Sequence, residues 1–292
     1  AAWYVVSQSV EISDRITVTG DVHLILSDDC TLTVPNGISV TSGNSLTIYG
    51  QSADTGALIA GTDGVADDQD SDKAYQAGIG GNRGNTDVYA HGNITINGGS
   101  ITAYGGFGAA GIGGGFGTTS GVEENGTISI NGGTVKAIGG AQAAGIGSGT
   151  QNGVAGGDIT ITGGNVTAQG GKNAAGIGGG QMARDTVGRS ITISGGTVNA
   201  TGGLKAAGIG SGYGAMVNKS INIIKINGSA DVTAQGGEGA AGIGSSFEGK
   251  TTGAIQIGGS AKVIANGGNS NKDGDVKAAG AGIGSGGGFI SN

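Results

Sequence analysis

The sequence predicts an all-β chain wound as a parallel β-helix, with three short strands in each coil of about 33 residues. Three observations carry this. One phrase recurs seven times: QAGIG at Gln76–Gly80, AAGIG ending at Gly113, Gly147, Gly178, Gly210 and Gly244, and AGAGIG ending at Gly284. Its central isoleucines, Ile79, Ile112, Ile146, Ile177, Ile209, Ile243 and Ile283, are spaced 33, 34, 31, 32, 34 and 40 residues apart. Between copies, apolar residues alternate with hydroxyl and amide residues at period two, as in strands with one buried face.

Residues 158–180, DITITGGNVTAQGGKNAAGIGGG, stand for the repeat. The first strand reads I-x-I, the second V/I-x-A, and the third lies in A-A-G-I-G. Ile159, Ile161, Val166 and Ala168 point inward, and Thr160, Thr162, Thr167 and Gln169 outward. Gly-Gly pairs such as Gly163–Gly164 and Gly170–Gly171 supply the corners. One coil cannot cover its own apolar face, so like must stack on like along the interior. The expected first-strand column is Ile94, Ile128, Ile159, Ile191 and Ile221, and the second-strand column Ile101, Val135, Val166, Val198 and Val232.

Residues 1–60 alternate in the same way but lack the AAGIG phrase; they read as an N-terminal cap and the first coils, with Trp3 and Tyr4 placed to seal the stack. Residues 61–292 hold the repeats and an Asp-rich insertion, within one continuous domain. The abrupt opening AAWYVV and the ending GSGGGFISN read as those of a fragment of a longer surface protein.

Composition narrows the function. Seventy of 292 residues are Gly and one is Pro, with no three-residue period, which excludes collagen. Only 14 Lys and Arg stand against 21 Asp and Glu, so the chain is a poor phosphate binder and nucleic acid is not expected as a partner. No apolar run approaches a membrane span, so no membrane insertion is expected. The single cysteine, Cys30, reads as a small buried hydrophobe beside a strand start.

The opening WYVVSQSVEISDRITVTGDVHLILSDDCTLTV, the following NSLTIYGQS and the reiterated ITISGGTVNATGG…AAGIGSG resemble repeat regions of large cell-surface proteins of Gram-positive Firmicutes, Clostridia among them. The resemblance spans nearly the whole chain. It implies a right-handed parallel β-helix, an extracellular or wall-associated location, adhesin-like or carbohydrate-binding use, and neighbouring surface modules. That fold also serves lyases, glycosidases and tailspikes, so it leaves activity open.

The outward columns are expected at Thr95, Ser129, Thr160, Thr192, Asn222 and Gln256 on the first strands, and at Thr102, Lys136, Thr167, Asn199 and Thr233 on the second. They contain none of the paired carboxylates a glycosidase needs. A carbohydrate-active enzyme with a loop-built carboxylate pair is the alternative; an inert spacer stalk and a Thr-array ice binder are the others. No catalytic residue and no required cofactor is expected.

Two binding features stand out. Variable segments follow each AAGIG copy in register, along one edge of the rod, where loops on a rigid scaffold usually bind. Phe116, Tyr213 and Phe247 recur there and could stack on the sugar rings of an extended glycan, or fold back as lids over the corner; Arg184 sits in one such segment, and Tyr104 points outward from a second strand. The Asp-rich stretch with Asp63, Asp67, Asp68, Asp70 and Asp72 reads as a solvated insertion or a calcium site, although it matches no EF-hand or calcium-roll pattern. A glycan or a host surface protein is the expected partner.

Overall fold

The computed structural model describes residues 1–63, 75–84, 90–117, 126–150, 157–182, 189–214, 221–249, 253–270 and 278–288. Among them lie three parallel sheets of nine strands each, stacked as nine rungs of a right-handed parallel β-helix. Every third strand in sequence shares a sheet, so each rung contributes one strand to each sheet. Rung four shows the pattern: Asn93–Ile96, Ser100–Tyr104 and Ile112–Gly113.

The interior is built from like residues in register. Ile94 pairs with Ile128, Ile128 with Ile159, and Ile159 with Ile191; on the second sheet Ile101, Val135, Val166, Val198 and Val232 follow one another. These side chains are at most 2 % exposed, so each branched aliphatic buries nearly its full area between its neighbours.

One expected position is corrected. Ile224, not Ile221, continues the first-strand column, because Ile191 pairs with Ile224 and Ile193 with Ile226. The segment SINIIKING offers two phases, and a one-residue slip would turn its outward side chains inward. The corner decides: Asn227 donates its backbone N–H to the Ile193 carbonyl, which aligns it with the corner below. Ile221 is still buried, but before the strand, and the outward column carries Lys225 where Asn222 was expected.

The third strand is also shorter than A-A-G-I-G. Only Ile and Gly pair between rungs, as in Ile112–Gly113 against Ile146–Gly147. The two alanines before them are fully buried in the turn; the Ala110 N–H donates to the Gly114 carbonyl within its own rung. Every small residue there lets the chain fold tightly across the corner.

Residues 1–60 and the repeats share a rung. Rung three takes Ser45–Gly50 and Ala57–Ala60 from the first stretch and Ile79–Gly80 from the second. Trp3 does not seal the end of the stack. It pairs with His23 on the outer face, while Tyr4 pairs with Leu24 on the inner face. Tyr4 is 59 % exposed at a cavity of about 720 Å³ lined by Val6, Val10, Ile16, Val18 and Leu24. Cys30 is half-buried against the core, immediately before the strand Thr31–Val34.

Polar ladders hold the corners. Asn131 donates from Nδ2 to Asn97 Oδ1 at 2.9 Å, and Thr162 donates its hydroxyl to Asn131 Oδ1 at 2.8 Å. Buried serines do the same inside the third corner: the Gly180 N–H donates to Ser148 Oγ and the Ser246 N–H to Ser211 Oγ, both at 2.9 Å. Each satisfies a backbone group that the tight turn leaves without a ladder partner.

Candidate functional site

The edge after the third strands carries two clusters of rings, each capped by a cation. In rungs three and four, the Tyr75 ring lies 4.7 Å from Phe116 and 6.1 Å, edge to face, from Phe107. The Arg83 guanidinium sits 4.5 Å from the Tyr75 ring centre. In rungs seven and eight, Tyr213 and Phe247 stack with centres 6.4 Å apart, and Lys205 Nζ lies 5.2 Å from both. Offset ring pairs and cations over ring faces are each favourable by about 1 kcal/mol at such sites.

Local chain geometry sets these rings in place. The Phe116 N–H donates to the Tyr75 carbonyl, and the Phe247 N–H to the Lys205 carbonyl, so the residues flanking successive third strands are bonded between rungs. Phe107, Phe116, Tyr75 and Tyr213 remain half-buried, with part of each ring at the surface. Phe247 is fully buried and offers no face to a ligand; it is the lid of its corner. Thr150 and Gln181 occupy the matching places in rungs five and six, so Phe116 and Tyr213 do not join into one ladder. Thr150 is itself fully buried and donates its hydroxyl to the Gln181 carbonyl at 2.8 Å. The clusters are separated by about 14 Å along the rod, three rung steps at the strand spacing.

Of the other expected site residues, Tyr104 ends the second strand of rung four and is half-buried, in register with Ile138. It borders a small hollow with Pro35, Thr62 and Gln76, far smaller than a ligand pocket. Arg184 and the aspartates Asp67, Asp68, Asp70 and Asp72 lie outside the described residues. Asp63 is described and exposed. Among the described residues no three His, Cys, Asp or Glu side chains gather as metal ligands. The paired outward columns read Thr95, Ser129, Thr160, Thr192, Lys225 and Gln256 on the first sheet and Thr102, Lys136, Thr167, Asn199 and Thr233 on the second.

Three side chains that the repeat pattern does not single out make polar contacts of their own. His91 is fully buried; Gly157 donates its N–H to Nε2 at 3.1 Å, which leaves Nδ1–H to donate to the Gly92 carbonyl at 2.8 Å. Burial, with a smaller push from Arg189, brings its pKa down from 6.5 to about 4, so the ring is neutral. Arg15 reaches across three rungs: Nε donates to Asn82 Oδ1 at 2.8 Å, Nη1 to the Asn36 and Ala77 carbonyls, and Nη2 to the Gly81 carbonyl. Burial lowers its pKa to about 10, and it stays charged at neutral pH.

The third is His23, on the outer face of the first sheet. Trp3 stacks on it at 4.1 Å with the ring planes 10° apart, and Tyr49 lies 5.6 Å from Trp3 and 5.9 Å from His23. Asp21 lies beside it, its carboxyl held below the usual carboxylate range by the Ser45 hydroxyl and then by His23.

Five segments match the Beta helix repeat family: residues 94–116, 128–150, 159–181, 191–213 and 224–247. No curated protein and no solved structure matches the chain. Each Beta helix repeat segment opens at the first inward isoleucine of a rung and closes at the edge residue after the third strand. Those closing residues are Phe116, Thr150, Gln181, Tyr213 and Phe247, so the aromatic clusters sit at the ends of the repeats, where the variable segments begin.

Proposed function

We propose that this chain is a non-catalytic, extracellular glycan-binding module of an adhesin-like bacterial surface protein. The observation that carries the reading is the pair of ring-and-cation clusters on one edge of the rod, Tyr75–Phe107–Phe116–Arg83 and Tyr213–Phe247–Lys205. Half-exposed rings offer apolar faces to the C–H face of a sugar, and the adjacent Arg and Lys donate to its hydroxyls or carboxylates. The rigid rungs fix the spacing of the clusters, so an extended chain gains from touching both. The outward columns present hydroxyls, amides and lysines, which suit wetting and weak polar contact more than bond cleavage.

The test is binding of the purified chain to an array of host and plant glycans, with calcium and with chelator, followed by reducing-end assays on every glycan bound. Saturable binding without turnover, weakened at least tenfold by Lys205→Met with Tyr213→Ala or by Arg83→Met, supports the reading. Release of reducing ends overturns the non-catalytic part. Binding that ignores all three substitutions removes the edge as the site. Loss of binding in chelator moves the site to the aspartate-rich stretch around Asp63.

A further inference from the structure

The outer face of the first sheet changes character along the rod. In rungs four to seven its paired outward residues are small hydroxyls, Thr95, Ser129, Thr160 and Thr192. In rungs one to three the same face carries Trp3, Val5, His23, Ile25 and Tyr49, and the hydroxyl column begins beside Tyr49 at Thr47, in register with His23 and Thr95. The inward columns do not use these side chains, and strand pairing does not require them. A cluster of large rings on an outer face, where threonine serves elsewhere, calls for a binding explanation.

The three rings are preset. Trp3 and His23 are stacked face to face with nearly parallel planes, and Tyr49 is tilted by only 23° and 24° from them, so Trp3 covers its partners and presents the exposed ring. His23 Nδ1 and the Tyr49 hydroxyl share a hydrogen bond of 3.2 Å. On the other side, His23 Nε2 lies 3.4 Å from Asp21 Oδ2, and Ser45 donates its hydroxyl to Asp21 Oδ1 at 2.5 Å. Trp3 stays 56 % exposed despite its stack, and the Asp21 side chain 52 %. Fixed rings lose little conformational entropy on binding, and a carboxylate anchored by Ser45 keeps acceptor sites for further donors.

We propose that Trp3, backed by the stacked His23 and Tyr49 and with Asp21 and Ser45 at its margin, forms a pyranose-binding platform separate from the edge clusters. The ligand must offer a flat apolar face to the exposed Trp3 ring and hydroxyl donors at its rim to the carboxylate, and a neutral sugar ring has both. This shares its ligand class with the glycan-binding reading but none of its residues.

Trp3 is the single tryptophan of the chain, so its emission reports on the platform alone. The experiment titrates the full chain with cellohexaose, xylohexaose, mannohexaose and N-acetylchitohexaose, following emission, acrylamide quenching and calorimetric heat. At least one sugar is expected to shift the emission and to lower the quenching constant at least twofold. Tyr49→Ala is expected to weaken that response about tenfold and Asp21→Asn about fivefold, with far-UV circular dichroism unchanged; Lys205→Met should leave it intact. Trp3→Ala, followed by heat alone, should abolish the same isotherm. If every sugar leaves Trp3 emission and quenching unchanged at millimolar concentration, the platform is overturned, even where heat shows a glycan bound at the edge. A Trp3 response lost in Lys205→Met and kept in Asp21→Asn overturns it equally.

Discussion

The Gly157 amide donates to His91 Nε2 across two rungs, at 3.1 Å, and so fixes a neutral imidazole in the interior of the rod. The unfolded ring titrates at 6.5 and the folded ring at about 4. Between these values the unfolded chain holds the extra proton, so stability rises with pH. The contribution of His91 is complete above about pH 6.5, is lost as pH falls toward 4, and is then exhausted. A span of this size amounts to about 3 kcal/mol. Denaturant midpoints from pH 4 to pH 7 should therefore slope more steeply for the native chain than for His91→Asn. Parallel slopes would remove His91 as the source of acid sensitivity.

Arg15 joins rungs one, two and three through side-chain and carbonyl acceptors that no backbone ladder supplies. Arg15→Ala takes the Arg15 donor from the Asn36 and Ala77 carbonyls, leaves the Gly81 carbonyl with the Ala77 N–H alone, and opens space in the corner. A loss of about 3 kcal/mol is expected. Arg15→Lys restores the charge but cannot reproduce the fork, so it should recover less than half. Hydrogen exchange of the Ile38 and Gly81 amides would localise the loss; uniform change along the rod would contradict a local clamp.

Gly147 sits at φ 135°, and a Cβ there would run into the Gly178 carbonyl of the next rung. Gly20 has φ 74° but open space around the added atom. Gly20→Ala should cost about 1 kcal/mol, the backbone penalty alone. Gly147→Ala should cost at least about 3 kcal/mol, because the rungs must also part. Equal costs at the two positions would mean that close stacking of the third strands does not limit the fold.

Much of this was legible in the sequence because like residues recur at one spacing. Val135, Val166 and Val198 could be stacked from period and alternation alone, and the pairs are found. Where the run SINIIKING offers several isoleucines, two phases compete, and the corner at Asn227 fixes Ile224, 33 residues after Ile191, over Ile221. Ring exposure was not legible. Position along the chain put Phe116, Tyr213 and Phe247 on one edge, but only packing decides that Phe247 turns inward while Tyr213 stays half-exposed. The Trp3–His23–Tyr49 cluster did leave a signal: aligning WYVV, VHLIL and LTIYG by their period-two faces puts all three on the outward side. His91 and Arg15 left none, since the Gly157 amide, the Asn82 side chain and the carbonyls they meet are brought to them by the winding of the rungs or belong to the backbone next to them.

Phe247 separates lid from ligand contact. Its ring is fully buried beneath Tyr213 and Lys205, so Phe247→Ala removes a large side chain from a closed corner. The cost should be about 3–5 kcal/mol, as for other buried aromatic truncations. Phe247→Leu, which keeps most of the volume, should cost less than half of that. Tyr213→Ala removes a half-exposed ring and should cost about 1 kcal/mol while lowering glycan affinity more than Phe247→Leu does. Denaturant midpoints and glycan titrations on the same three variants read both quantities. If Phe247→Leu reduces affinity and leaves the midpoint unchanged, the ring touches ligand and the corner must open to admit it.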